Sequence, residues 1–154
     1  MKLVVAAVGK PRHPALASAI RDYEERAARY WPHEVHEVRE EPARSASADL
    51  VREREGERLA KFAPPSARLV ACDPGGATMT SEAFSAWLQG ERESGRDVTL
   101  VIGGAYGLAD GLRSRAGTRL ALAPWTLSHE LARLVLAEQL YRAGTIVRHE
   151  PYHK

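Results

Sequence analysis

The chain has 154 residues, a mass of 16.9 kDa, 44% hydrophobic and 27% charged residues, and a net charge of +2. Intrinsic disorder is excluded for most of such a chain, and so is a membrane span, since no apolar run reaches the roughly 18–20 residues required. One cysteine, Cys72, leaves no intrachain disulfide, and the length suits a single domain over 1–154 in a reducing cytoplasm.

In chain order, residues 2–8 form a valine-rich run that reads as a first strand rather than a signal peptide, because Gly9-Lys10-Pro11 closes it. Helical spacing of Leu16, Ala19, Ile20, Tyr23 and Ala27 predicts a helix over 15–30, stopped by Pro32. Val35 and Val38 mark a second strand over 34–39. Residues 40–49 read as a mobile polar loop, with Asp49 capping a charged helix over 50–62. That helix is anchored by Leu50, Leu59 and Phe62 and weakened by Gly56. A third strand over 68–73 runs into the turn Pro74-Gly75-Gly76. Thr80 or Ser81 then caps a helix to about Arg92 whose Phe84, Trp87 and Leu88 face inward. Residues 97–102 are a fourth strand, 103–107 a glycine turn, 108–115 a short helix and 119–122 a fifth strand. The longest helix spans 128–143 with Ser128 as its cap and Leu131, Leu134, Val135 and Tyr141 near one stripe, an apolar surface that Leu127, Leu136 and Leu140 widen. The tail begins at Gly144. Strands alternating with helices predict an α/β fold with a largely parallel sheet.

Three segments bear on chemistry. Gly103-Gly104-Ala105-Tyr106-Gly107 follows a strand and lets backbone approach a ligand closely, but it matches neither G-x-G-x-x-G nor a triphosphate loop. It is equally readable as a plain tight turn. The strand-to-helix junction 122–127 carries backbone groups that regular structure cannot satisfy, which suits an adenine edge; packing of Pro124 and Trp125 is the simpler account. The end HEPYHK is either a loose terminus or a group that stacks on a base and pairs with phosphate. Residues 1–99 sum to −1 and 100–154 to +3, a mild bias compatible with an anionic partner. No CxxC or HExxH pattern exists, so no metal site is expected.

Taken together, MKLVVAAVGK, RLVACDPGG, DVTLVIGGAYGL, LALAPWTLSHELARLVLAEQLYRAGTI and the ending PYHK resemble the RlmH (YbeA-type) family of SPOUT methyltransferases over essentially the whole chain. The resemblance implies an α/β fold with a deep C-terminal trefoil knot, which ordinary chain topology would not suggest. It implies a homodimer that uses S-adenosylmethionine to methylate N3 of a pseudouridine in large-subunit ribosomal RNA within the assembled ribosome. Carried over by motif, the cofactor pocket consists of Cys72, Gly103, Gly104, Leu122, Ala123, Pro124, Trp125, Thr126 and Leu127. Arg142, Tyr152, His153 and Lys154 face the RNA. Arg142 and His153 are expected to do the electrostatic work of catalysis, with His129 a weaker candidate for a base; either histidine serves equally well for positioning RNA.

The chain departs from the family at Cys72, where leucine is usual, at Ala123, where a serine hydroxyl is lost, and at Ser128, which replaces proline. Three other readings compete. They are an enzyme of this class acting on another RNA such as transfer RNA, a noncatalytic ribosome-assembly factor, and, on pattern alone, a flavodoxin-like nucleotide or phosphate binder.

Overall fold

The computed structural model describes residues 1–44 and 46–154. The loop expected over 40–49 includes Ser45, which lies outside the described residues. Strand β1 (Leu3–Val8) buries all six of its residues. A strand buries both alternating sets of side chains only when both faces of its sheet are covered. It pairs in parallel with β2 (His33–Val38) and with β4 (Val98–Ile102). Beyond β4 lie β3 (Arg68–Ala77) and the edge strand β5 (Thr118–Leu120), giving the all-parallel order β2-β1-β4-β3-β5.

Alternation along the strands builds two cores. Leu3, Val5, Ala7, Val98, Leu100 and Ile102 face α1 (Pro14–Ala28), α3 (Ser81–Glu93) and α5 (His129–Val147). Ala6, Val8, Leu69, Ala71 and Val101 face α2 (Ala48–Ala60) and α4 (Asp110–Arg115). The carboxyl ends of all five strands therefore open on one edge, where open α/β sheets bind ligands.

Local structure departs from expectation at four places. Helix α2 starts two residues earlier than expected, because Ser47 rather than Asp49 is the cap: its hydroxyl accepts the Leu50 N–H at 3.2 Å, and Asp49 sits in the first turn where the helix dipole favours it. Leu50 and Phe62 are only partly buried; Val51 and Leu59 anchor the helix with Glu55 and Gly56. A Cβ on Gly56 would come within 2.9 Å of the Ala109 Cβ, so this glycine serves a close approach rather than merely weakening the helix.

Strand β3 does not stop at Asp73. It continues through the expected turn to Ala77, with its pairing to β5 interrupted after Cys72 and resumed at Ala77–Leu120. The close contact is possible because a Cβ on Gly76 would lie 2.5 Å from the Arg119 backbone.

Helix α5 runs a further turn past Gly144, which is pressed against the Tyr30 side chain instead of ending the helix. Its buried residues are Arg133, Leu136, Ala137, Leu140 and Ala143–Thr145; Leu136 and Leu140 of the expected apolar surface reach the core, whereas Leu131 of the expected stripe is 40% exposed. Arg133 fixes this rotation by reaching Glu24 of α1 at 2.8 Å and Glu37 of β2 at 2.6 Å. The Trp31 indole N–H adds a bond to the Leu140 carbonyl at 2.9 Å. Among the described residues, no helix is long and apolar enough to cross a membrane, and no cluster of His, Cys, Asp and Glu is placed to hold a metal.

Candidate active site

At the carboxyl ends of β3, β4 and β5 the sheet opens into a cleft, the place where open α/β sheets take small molecules. Other surface grooves hold more empty space. What distinguishes this one is its wall. Cys72, Ile102, Leu122 and Leu127 make it apolar, Gly103, Gly104 and Gly107 leave backbone bare, and Asp73, Thr126 and His129 supply the polar groups.

Each part of that wall has a local cause. Strand β4 ends at Ile102, and the chain doubles back through a Gly104–Gly107 bridge with Gly107 at a φ of +80°, a conformation suited to glycine. A Cβ on Gly103 would lie 2.6 Å from the Gly107 carbonyl carbon, and one on Gly104 would lie 2.8 Å from the Glu55 Oε2 and 3.0 Å from the Val8 Cγ1. After β5, the Ala121 N–H bonds the Ala77 carbonyl at 2.9 Å. Among the described residues, no N–H or C=O of 122–127 then makes a backbone hydrogen bond before Ser128 caps α5. Those groups are free for a ligand edge.

The cleft wall carries one ionised acid, Asp73, which is paired with arginines. Burial opposes the charge on Asp73, but the Gly75 N–H at 3.1 Å and Arg119 at 2.7 Å, with Arg113 beyond, hold its carboxyl below the usual carboxylate range. It stays ionised beside the cleft. Burial pushes the Cys72 thiol up to about 12, so Cys72 is a wall and not a nucleophile at neutral pH. His129 opens α5 at the cleft edge; its buried Nε2 has no hydrogen-bond partner and lies 3.8 Å from the Glu40 Oε1.

The sequence-predicted residues fall in two places. Cys72, Gly103, Gly104, Leu122, Ala123, Trp125, Thr126 and Leu127 line the cleft, as does His129, whereas Pro124 is exposed and lies off its lining. Arg142 is thirteen residues beyond His129 on α5, about 20 Å along the axis at 1.5 Å per residue. There it forms a second cluster. Its Nη2 donates to the Glu138 Oε1 at 2.6 Å, its guanidinium lies 4.7 Å from the centre of the Tyr152 ring, and its Nη1 is 3.3 Å from the His153 Nδ1. Tyr152 donates to the Glu138 Oε1 at 2.9 Å and rests on Tyr141 with ring centroids 4.6 Å apart. Burial, then bonding to Tyr23 and Glu138, pushes its phenol well above the usual range. His153 reaches Glu82 on α3 at 2.8 Å, while Lys154 is exposed. The tail is thus folded back on its own helices. One chain does not bring Arg142 and His153 to the cleft.

Two acids, Asp73 in the cleft wall and Glu55 behind it, are not among the sequence-predicted site residues. Asp73 carried a signal, an acid at the end of an apolar run, and was passed over for Cys72. Glu55, behind Gly104, carried none, because it lies in a helix whose charges read as solvated.

Comparison with known proteins bears on this geometry. The family model described as predicted SPOUT methyltransferase matches residues 1–153. A protein of Gemmatimonas aurantiaca named ribosomal RNA large subunit methyltransferase H is 63% identical over 154 residues, covering the whole of both chains. One of the same name from Pelobacter propionicus is 46% identical and covers 99% of each. The crystal structure of the SpoU methyltransferase AviRb from Streptomyces viridochromogenes, in complex with the cofactor AdoMet, aligns with a TM-score of 0.44 and 13% identity over 92% of this chain and 57% of that one. An overlap that loose carries no inference.

Proposed function

The chain belongs to the SPOUT methyltransferase family, within the RlmH group, and from that premise we propose that it methylates large-subunit ribosomal RNA using S-adenosylmethionine. The observation that carries this reading is the cleft at the strand ends, walled by bare glycine backbone and the unsatisfied 122–127 loop. Its residues fit the cofactor. The 122–127 backbone offers donors and acceptors to an adenine edge, and the glycines admit a bent molecule.

When bound, S-adenosylmethionine supplies an electrophilic methyl group whose transfer leaves a neutral thioether. The protein's part is to hold donor and acceptor in line, worth several kcal/mol of barrier. The finer reading places the acceptor at N3 of a pseudouridine in the assembled ribosome. There the N3–H proton must leave as the new N–C bond forms. Arg142 and His153 stabilise the negative charge that develops, and His129 is the weaker candidate to take the proton.

The distance between the cleft and the Arg142 cluster supports a composite site. In a homodimer, one subunit's tail would complete the other's cleft. Dimerisation would also double the basic surface of a chain whose +2 charge makes few phosphate contacts. The deep knot belongs to the same reading.

Nucleoside mass spectrometry of ribosomal RNA treated with the enzyme tests the specificity. The expected product is pseudouridine carrying one methyl on its base nitrogen. A methyl on a ribose oxygen or on another base would overturn the assignment.

A further inference from the structure

Glu55 is a buried acid to which the chemistry above gives no task. It is 3% exposed on α2 and directly behind the glycine turn of the cleft. Its Oε1 accepts the Glu41 N–H at 3.1 Å, while its Oε2 is buried with no hydrogen-bond partner among the described residues. That free oxygen lies against Gly104, 2.8 Å from where a Cβ would stand. One layer of backbone separates it from the cleft.

Its surroundings carry charges of both signs. From the segment after β2, Glu40 and Glu41 approach; Glu41 is paired with Arg54 and Arg58 of α2, and Glu40 with Arg12 of the loop after β1. From α5, His129 reaches Glu40 at 3.8 Å. Across the cleft, Asp73 is paired with Arg119.

We propose that Glu55 is a positioning residue that supports the Gly103–Gly104 turn, and that its carboxyl releases a proton to solvent when a positively charged methyl donor fills the cleft in front of it. The proposal rests on the cofactor assignment above. In the empty cleft, burial first, then the charge of Glu40, raises the Glu55 pKa, so the neutral acid persists above the usual carboxylate range. A sulfonium on the other side of the turn favours the carboxylate, because opposite charges attract strongly where water is scarce. The O–H bond breaks, its electron pair stays on Glu55, and the proton passes to buffer. Asp73, already ionised, has no proton to give. His129 also faces the cleft, so Glu55→Gln separates the two sources.

The sign follows from linkage. An acid whose pKa falls on binding makes affinity rise with pH between its bound and free values. Calorimetry in buffers of different ionisation enthalpy counts the protons. With S-adenosylmethionine, the wild type is expected to release a proton at pH values above the usual carboxylate range, with affinity rising with pH there, about tenfold for each unit by which binding lowers the carboxyl's pKa. S-adenosylhomocysteine, which lacks the sulfonium charge, is expected to release less. Glu55→Gln is expected to bind both with affinity nearly flat in pH and without that release.

Equal proton release in wild type and Glu55→Gln would overturn the proposal. Failure of both proteins to bind either compound would instead overturn the cofactor assignment. If Glu55→Gln does not fold, carbon-13 NMR of the Glu55 carboxyl in the wild type reads the same event. Its titration should move to lower pH when S-adenosylmethionine is added, and an unmoved titration would refute the proposal.

Discussion

Gly103→Ala is expected to lower affinity for S-adenosylmethionine by at least about 100-fold, or about 2.7 kcal/mol. The added Cβ would stand 2.6 Å from the Gly107 carbonyl carbon, 2.7 Å from its oxygen and 3.0 Å from the Leu108 nitrogen. All three are backbone atoms and cannot swing aside. The turn from 103 to 108 must open, and the cleft wall opens with it. Overpacking of this kind also costs about 1–3 kcal/mol of stability, so calorimetric titration should be run beside a denaturant curve. Gly90→Ala is the contrast. It lies within α3 with nothing within 4 Å of its Cβ position, and it should gain up to about 1 kcal/mol from helix propensity. Unchanged cofactor affinity in Gly103→Ala would remove this turn from the binding site.

The second large effect concerns the tail. A chain lacking 152–154 should keep its cofactor affinity, since Tyr152 and His153 contact α1, α3 and α5 far from the cleft. It should nonetheless lose RNA methylation. A Gly103→Arg chain should lose cofactor binding instead. Unfolded together and refolded as a mixture, the two inactive chains should recover methylation at about one quarter of the wild-type rate, because random pairing gives half mixed dimers, each with one complete site. Recovery would follow because a mixed dimer pairs an intact cleft from one subunit with an intact tail from the other. No recovery would refute the shared site. A tail deletion that weakened cofactor binding equally would mean that the tail closes its own chain's cleft.

Much of this architecture is legible in the residues. The apolar runs at 2–8, 68–73 and 97–102 can be buried on both faces only in a covered parallel sheet, and the breaks at Pro32 and Pro64-Pro65 separate its helices. Where the structure differs, distant contacts decide. Gly144 reads as a helix end, but α5 continues through it, and the glycine serves to leave room for the Tyr30 side chain. Pro74-Gly75-Gly76 reads as a turn, but the chain stays extended so that Gly76 meets the backbone of Arg119. The Leu131 stripe gives way to Arg133, whose partners Glu24 and Glu37 lie about a hundred positions earlier.

The candidate site was legible to a different degree. The glycine turn and the 122–127 loop gave only equivocal local signals, and it was the order of motifs along the chain that joined them into one pocket. The separation of Arg142 from His129 follows from helix rise alone, once both are placed on α5. Glu55 was hidden because nothing in a run of arginines and glutamates marks which acid turns inward. Packing against Gly104 and Glu41 decides that.

The most direct test of the account is methyl transfer from radiolabelled S-adenosylmethionine to assembled ribosomes and to naked large-subunit RNA, measured side by side. Label on the RNA of the assembled ribosome, with little on naked RNA, is the predicted result. It would mean that the ribosome supplies the binding surface that a small domain of charge +2 lacks. No label on either, from a protein that binds the cofactor, would contradict ribosomal RNA methylation and leave only the fold and the cofactor cleft standing.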